Sequence, residues 1–459
     1  MKQVWPNRPC RSLRSSAFVL ATSALLTACA HYTPSPLATP AAALAPPDPM
    51  ALAAAGAIVE RPFLKPQPID LEQPLTLDAL AVITVIENPD LKALRAKTGI
   101  TDAQAFAARL LPDPTAQLGF DKRLSGPDPF NGLAAQIGID LNQLRMARVT
   151  REAAAANRRQ VRFDLAWAEW QAAGQARLLG VRVVALGAES VLANASATLA
   201  AGQLDAVLRA AGRGDVAGAE LDARRQAALD AADKARTAER DLIAARGDLN
   251  KQLGLPPGIA IRIAAIAPPA PLPSAAALVG LAIDRRLDLQ ALRAGYASAE
   301  AETHRAILEQ FPTLSLTMAS ARDTANNHTI GPQVGFTLPL WNRNRGGIAV
   351  ATATREQLKT EYAARLFQTR ADIADAVANI DAANRQRTAL AAQLPASRRF
   401  AEAMMRASLR GDLARSVGDA AAQAVRDREL ALLVLDQQAA EQMVALELLS
   451  GSLHEGWSR

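Results

Sequence analysis

Between residues 358 and 380 the apolar positions Leu358, Tyr362, Leu366, Ile373, Val377 and Ile380 step by four, four, seven, four and three. That is the spacing of one buried face of an α-helix. The helical stretch around it is long: residues 346–452 hold one proline, Pro395, and residues 143–254 hold none. Each long region is interrupted once, by Arg213-Gly214-Asp215-Val216 and by Arg410-Gly411-Asp412-Leu413. Glycine ends a helix by accepting positive φ, and aspartate caps the next one. Each region is therefore expected to be a helical hairpin with Gly214 or Gly411 at its tip. A helix of about 65 residues would run roughly 100 Å.

Ahead of each long region the period shortens to two. Segments 115–122 and 134–141 alternate in character around a Gly/Pro/Asn cluster at 125–132, and segments 313–321 and 331–340 do so around 324–328. These predict two β-hairpins. Helical stretches precede them at about 76–111 and 275–310. The chain is thus written twice. Asp90-Leu91-Lys92-Ala93-Leu94-Arg95-Ala96 recurs as Asp288-Leu289-Gln290-Ala291-Leu292-Arg293-Ala294, and Pro114-Thr115 recurs as Pro312-Thr313 at the same offset of 198. One residue is then lost; 136–141 matches 333–338, 213–216 matches 410–413 and 249–254 matches 446–451. A repeat this long is a duplicated domain half, not a solenoid unit.

The N-terminus reads differently. Lys2, Arg8, Arg11 and Arg14 precede a short apolar run from Ala17 to Leu26, which stops at Thr27-Ala28-Cys29. This is an export signal, too short to anchor by itself. It resembles a lipobox, in which Cys29 is lipidated and becomes the mature N-terminus; the alternative is a plain secretory signal with a chance cysteine. Ala30, not Asp, follows, as in lipoproteins sent on to the outer membrane. The expected organisation is a signal peptide (1–28), a Pro/Ala-rich extended tether (29–74), the first repeat (75–254), a Pro-rich linker (255–274), the second repeat (275–452) and a short tail (453–459). No later stretch has about 18 unbroken apolar residues, so a membrane would be crossed as β-structure.

Composition narrows the functional classes. The 459 residues are 50% hydrophobic but only 4% aromatic, which suits long, closely packed helices. The formal net charge of +6 is spread along the chain, with no basic stripe interleaved with aromatics, so no nucleic-acid partner is expected. Both cysteines, Cys10 and Cys29, lie in the leader. His31, His304, His328 and His454 have no metal-ligand spacing, and no nucleophile elbow or phosphate loop is present, so neither cofactor, metal nor enzymatic activity is expected.

Two hairpins per chain leave open sheet edges, which are forbidden in a bilayer. Several chains pooling their strands into one closed barrel, with the long helices packed below it, resolve the conflict. Asn88-Pro89-Asp90-Leu91, the two Pro-Thr strand starts and Pro339-Leu340-Trp341-Asn342-Arg343-Asn344-Arg345-Gly346 resemble TolC-type outer-membrane efflux proteins over about residues 75–452. The last motif is similar to lipoprotein members paired with RND pumps, including heavy-metal exporters. The resemblance implies a mainly α fold, duplicated, closing as a homotrimer into a twelve-stranded β-barrel in the outer membrane and an α-helical barrel through the periplasm. It implies three kinds of partner: outer-membrane lipid, a periplasmic adaptor and an inner-membrane RND-type transporter. The implied function is a passive exit duct for metal cations, drugs or aromatic compounds. Carried over by position, the tips that would meet the adaptor and gate the channel are Arg213, Gly214, Asp215 and Val216 with Arg410, Gly411, Asp412 and Leu413. The first repeat has Asn142-Gln143-Leu144-Arg145 in place of the second junction motif. The alternative is a periplasmic coiled-coil adaptor lipoprotein, which would show one helical hairpin between β-rich domains rather than this order repeated twice.

Several residues carry two readings. Asp215 and Asp412 either ring the periplasmic mouth and favour cations, or cap helices. Arg213 and Arg410 either lock the tip by ion pairs or contact the adaptor. Gly138 and Gly335 mark close packing or a bulge. Pro339 and Gly346 turn strand into helix.

Overall fold

The computed structural model describes residues 32–266 and 272–457. Cys10, Cys29 and the lipobox lie outside the described residues. The chain divides into two compact units, one up to Ala45 and one from Pro46 onward. The first, over its described residues, holds one helical turn, α1 (Pro40–Ala43).

The second unit carries two copies of one element order. In the first repeat, α3 (Leu77–Glu87) and α4 (Pro89–Ala107) lead to β1 (Thr115–Asp121) and β2 (Gly132–Asp140). Helices α5 (Leu141–Ala211) and α6 (Gly218–Leu253) follow. In the second, α7 (Ala275–Arg285) and α8 (Leu287–Leu308) precede β3 (Leu314–Arg322) and β4 (His328–Phe336). Helices α9 (Arg345–Leu409) and α10 (Arg415–Ser450) close the repeat.

The leading helical stretches are each split in two. Asn88 causes the first split: its side chain accepts from the Asp90 and Leu91 backbone N–H groups at 3.0 and 3.1 Å, and Pro89 occupies the first helical position. Asn88 also donates from Nδ2 to the Gln252 carbonyl at 2.9 Å, so the start of α4 meets the end of α6. The equivalent joint in the second repeat is made by Arg286, whose Nη1 donates to the Leu449 carbonyl at 3.2 Å. Gly254 (φ +70°) and Gly451 (φ +68°) end the incoming helices there. A Cβ on Gly254 would lie 2.5 Å from the Glu87 carbonyl oxygen, so only glycine lets the two helix ends approach.

The main core lies around these joints. Leu80, Ile83, Trp170, Leu249 and Leu253 are buried there, and Phe63 packs edge-on against Trp170. A second cluster gathers Leu278, Ile373, Ile380, Leu446 and Trp457. Ile373 and Ile380 are the residues that the helical spacing marked as a buried face.

Two expected boundaries differ. The tether expected over 29–74 stops short: α2 (Pro49–Ile58) is helical, with Pro49 at its first position and Asp48 capping it, and Leu52, Phe63, Leu64 and Ile69 belong to the core. Proline density masked a helix in which the proline sits where a helix tolerates it. The expected linker 255–274 is pinned over its described part, since Leu75 and Ile263 form a parallel bridge and Leu255 is buried. The C-terminal tail 453–459 folds back over its described part: Trp457 is buried and donates to Ser450 Oγ at 3.0 Å.

One window of α5 is apolar enough, by length and composition, to cross a bilayer. The helix containing it is 71 residues long and buries Trp170, Val181 and Val183 in the protein.

Candidate functional site

Four strands form one antiparallel sheet in the order β1-β2-β3-β4. The hairpins are those expected, with shifted limits. Strand β4 begins at His328 and ends at Phe336, so the turn is Asp323–Asn327 and residues 337–340 lie outside the strand. Pro332 sits within β4 opposite Met318, and β4 is an edge of the sheet formed within one chain.

The register assigns every strand residue to a face, because paired residues share one. Phe120 pairs with Leu133, and Ile137 with Met318 and thence Pro332. Leu316 pairs with Val334, and Leu314 with Phe336. That face is apolar almost throughout, yet open: Leu118 is 89% and Ile330 78% exposed. The opposite face carries Thr115, Gln117, Gly119, Gln136, Gly138, Thr317, Gln333 and Gly335. Its side chains are small or carboxamide, and its only charges, Asp121 and Asp140, close strand ends. Gln136 donates across the strands to Gln117. Gly138 is tight because a Cβ would fall 2.8 Å from Thr317 Oγ1, and at Gly335 one would fall 2.6 Å from Ser315 Oγ. Both glycines sit in regular pairing, which supports close packing over a bulge. One apolar exposed face and one small polar face is the alternation that membrane barrel strands show.

Helices leave the sheet at one end through two unlike junctions. Asp140 caps α5, accepting from the Asn142 N–H at 2.8 Å. The second junction turns at Arg343 (φ 46°) and Asn344 (φ 50°), two left-handed non-glycine residues in succession. Asn344 is held there by donating to the Ala306 carbonyl at 2.9 Å and Glu309 Oε2 at 3.0 Å, and the Arg345 N–H returns to the Asn342 carbonyl at 3.0 Å. Trp341 projects outward, 86% exposed. Pro339 lies three residues past the end of β4. Gly346 has open space around it, whereas Gly347 lies against Asn344, where a Cβ would sit 2.4 Å from Oδ1. The tight glycine is thus one residue later than the motif suggested.

At the far ends of α5 and α9 the two tips are near copies. The Asp215 N–H returns to the Ala210 carbonyl and the Asp412 N–H to the Ala407 carbonyl, at 3.1 and 3.0 Å. Gly214 (φ +82°) and Gly411 (φ +84°) take the left-handed position. These are Schellman ends. The aspartates do not cap the following helices, because the N-caps fall two residues later, at Ala217 and Ala414. Instead Asp215 accepts from Arg213 Nε and Asp412 from Arg410 Nε, each at 2.9 Å. Val216 is half-buried and Leu413 exposed beside them. Above the tips Arg224 of α6 approaches Asp419 of α10 at 4.0 Å and donates to Gln203 of α5 at 3.2 Å. Asp419 is buried. This link between the two hairpins was not visible in the sequence, where the partners are far apart and no motif marks them.

Nearer the joints lies a buried ionic centre that local patterning also missed. Glu169, 1% exposed, accepts from Arg61 Nε at 2.5 Å and from Arg95 Nη2 at 2.6 Å. That pairing holds the Arg61 guanidinium above its ordinary pKa. Arg177, also buried, bridges Asp78 at 2.7 Å and Glu447 at 3.2 Å. Among the described residues no three His, Cys, Asp or Glu side chains gather as a metal site would need.

Residues 278–452 match the family model described as outer membrane efflux protein. The chain carries an outer membrane efflux protein domain. This domain spans nearly all of the second repeat, and the first repeat copies its element order. CusC, solved in work on folding and transmembrane channel formation, is 16% identical, with a TM-score of 0.66 over 89% of this chain and 99% of that one. VceC from Vibrio cholerae is 17% identical, with a TM-score of 0.68 over 82% of this chain and 96% of that one. The open-state MtrE outer membrane channel of Neisseria gonorrhoeae is 19% identical, with a TM-score of 0.64 over 82% and 89%. These are likenesses of fold, and they cover both repeats around the efflux protein domain. No curated protein sequence matches the chain.

Proposed function

We propose that this chain is one subunit of an outer-membrane channel serving a tripartite efflux pump. The observation that carries the reading is the sheet: four strands, one apolar exposed face, one small polar face, and two free edges at β1 and β4. Unpaired edges cost several kcal/mol per polar group in hydrocarbon. Side-by-side addition of β4 to β1 of the next copy removes them, and three copies supply twelve strands. Strands of seven to nine residues are near the length needed to cross the apolar band when tilted. The helices then extend into the periplasm, where the tips at Gly214 and Gly411 meet an adaptor and the adaptor links the duct to an inner-membrane RND-type transporter. Lipidated Cys29 would tether each subunit to the outer membrane. Transport through such a duct is passive, so the chain needs no catalytic group of its own.

Paired cysteine substitutions test the wall. Leu316→Cys and Thr317→Cys are neighbours on opposite faces, and a polarity-sensitive fluorophore on each should report lipid at 316 and water at 317 in reconstituted protein. The same polarity at both positions would refute the barrel wall.

A further inference from the structure

The apolar face of the sheet does not end the same way at both edges. Toward the helices it runs through Leu314, Ile139 and Phe336 with no charge. Toward the hairpin turns it ends in a polar row. Arg322 pairs with Leu133 on one side and with His328 on the other, and all three lie on the apolar face. Lys122 follows directly after β1, one residue past the last paired position, Asp121. Lys122 and His328 are exposed and Arg322 is half-buried.

The neighbouring carboxylates do not pair with Lys122 or Arg322. Asp121 belongs to the opposite face. Asp128 accepts from Thr324 Oγ1 at 2.6 Å. Asp323, whose charge is felt at His328, accepts from the Ala325 and Asn327 N–H groups and from Asn327 Nδ2, at 2.8–2.9 Å. Among the described residues, neither Lys122 nor Arg322 has a carboxylate within 4.0 Å. The Arg322 guanidinium lies 5.7 Å over the Phe130 ring, and its Nε is buried without an acceptor. The guanidinium is therefore positioned in advance, with its outer N–H groups left for an anion.

Arg322 and His328 share their cross-strand row with exposed Phe120 and Leu133, and exposed Ile330 lies one step below; basic groups at the rim of an apolar face suit a molecule with acyl chains below and phosphate above. We propose that Lys122, Arg322 and His328 form a headgroup site for the phosphates of lipopolysaccharide in the outer leaflet. The inference rests on the barrel reading, which puts the hairpin turns on the outside. In the closed assembly β4 of one subunit would adjoin β1 of the next, so His328 and the neighbour's Lys122 would extend one continuous ring.

The test uses the full-length protein in phospholipid nanodiscs, with lipopolysaccharide binding read by native mass spectrometry. Lys122→Gln with Arg322→Gln should weaken binding about tenfold, from two lost charge contacts. Arg322→Lys, which keeps the charge, should lose clearly less. Dephosphorylated lipid A should bind wild type as weakly as lipopolysaccharide binds the double variant, and millimolar inorganic phosphate should not displace the lipid. Equal binding by wild type and the double variant, indifference to dephosphorylation, or full displacement by inorganic phosphate would each overturn the headgroup site while leaving the barrel standing. Failure of wild type to enter any nanodisc would overturn both readings together.

Discussion

Arg213 Nε donates to the Asp215 carboxylate at 2.9 Å, and the duplicated tip repeats the pair between Arg410 and Asp412 at the same distance. Each tip aspartate is therefore accompanied by its own cation, and a purely acidic ring is not what the geometry presents. Both pairs are exposed and contribute under about 1 kcal/mol each. Asp215→Ala with Asp412→Ala should leave the thermal midpoint nearly unchanged but shift the reversal potential of the pore toward anions. Arg213→Ala with Arg410→Ala should shift it toward cations. Reversal potentials in asymmetric salt check both signs.

Glu169 presents the opposite case. It is buried between Arg61 and Arg95 and ties the segment after α2, helix α4 and helix α5 together. Glu169→Ala leaves two guanidinium groups without their shared acceptor and should destabilise the fold by about 3 kcal/mol. A clear fall in the thermal midpoint checks this, and an unchanged midpoint would mean that water replaces the carboxylate at no cost.

Gly254 and its twin Gly451 should resist substitution. At Gly254 a side chain meets both the left-handed backbone and the Glu87 carbonyl. Gly254→Ala should cost about 2 kcal/mol or more, whereas Gly346→Ala, with open space around the site, should be nearly neutral. Comparing the two midpoints separates joint geometry from generic helix propensity.

Asp102 supplies a pH dependence. Hydrogen bonds from Arg158 and then Arg162 hold its carboxyl below the usual carboxylate range. A depressed carboxyl stabilises the fold above its unfolded-state pKa, and that contribution disappears as pH falls through the lower folded value. The difference in midpoint between wild type and Asp102→Asn should thus be constant near neutrality, begin to shrink as pH falls to about 4, where an unfolded carboxyl titrates, and vanish only below the lower folded value. Melting curves across that range measure it.

What the sequence revealed and concealed follows from the reach of each interaction. The step from Ile373 to Ile380, the glycine tips and the Gly, Pro and Asn residues at the hairpin turns are local signals, and the elements formed where those signals lie. Duplication added a second reading of each. Limits drifted where a residue is read against its usual role: Pro49 begins a helix, and Pro332 lies within strand β4. The aspartates at 215 and 412 turned out to pair with arginine because the helix starts two residues late. The Arg61–Glu169 and Arg224–Asp419 contacts join residues 108 and 195 positions apart, and no periodicity encodes them. The likeness to outer membrane efflux proteins over 278–452 was legible in the junction at 339–346, which lies within the matched residues.

The most direct test of the channel is single-channel recording of the purified protein in a planar bilayer, with Gln333→Lys on the polar face beside Val334→Lys on the apolar face. Wild type should give discrete steps, Gln333→Lys a shift toward anion selectivity, and Val334→Lys failed insertion. Folded, membrane-inserted wild type that conducts nothing, even with both tip aspartates replaced by alanine, would contradict the channel.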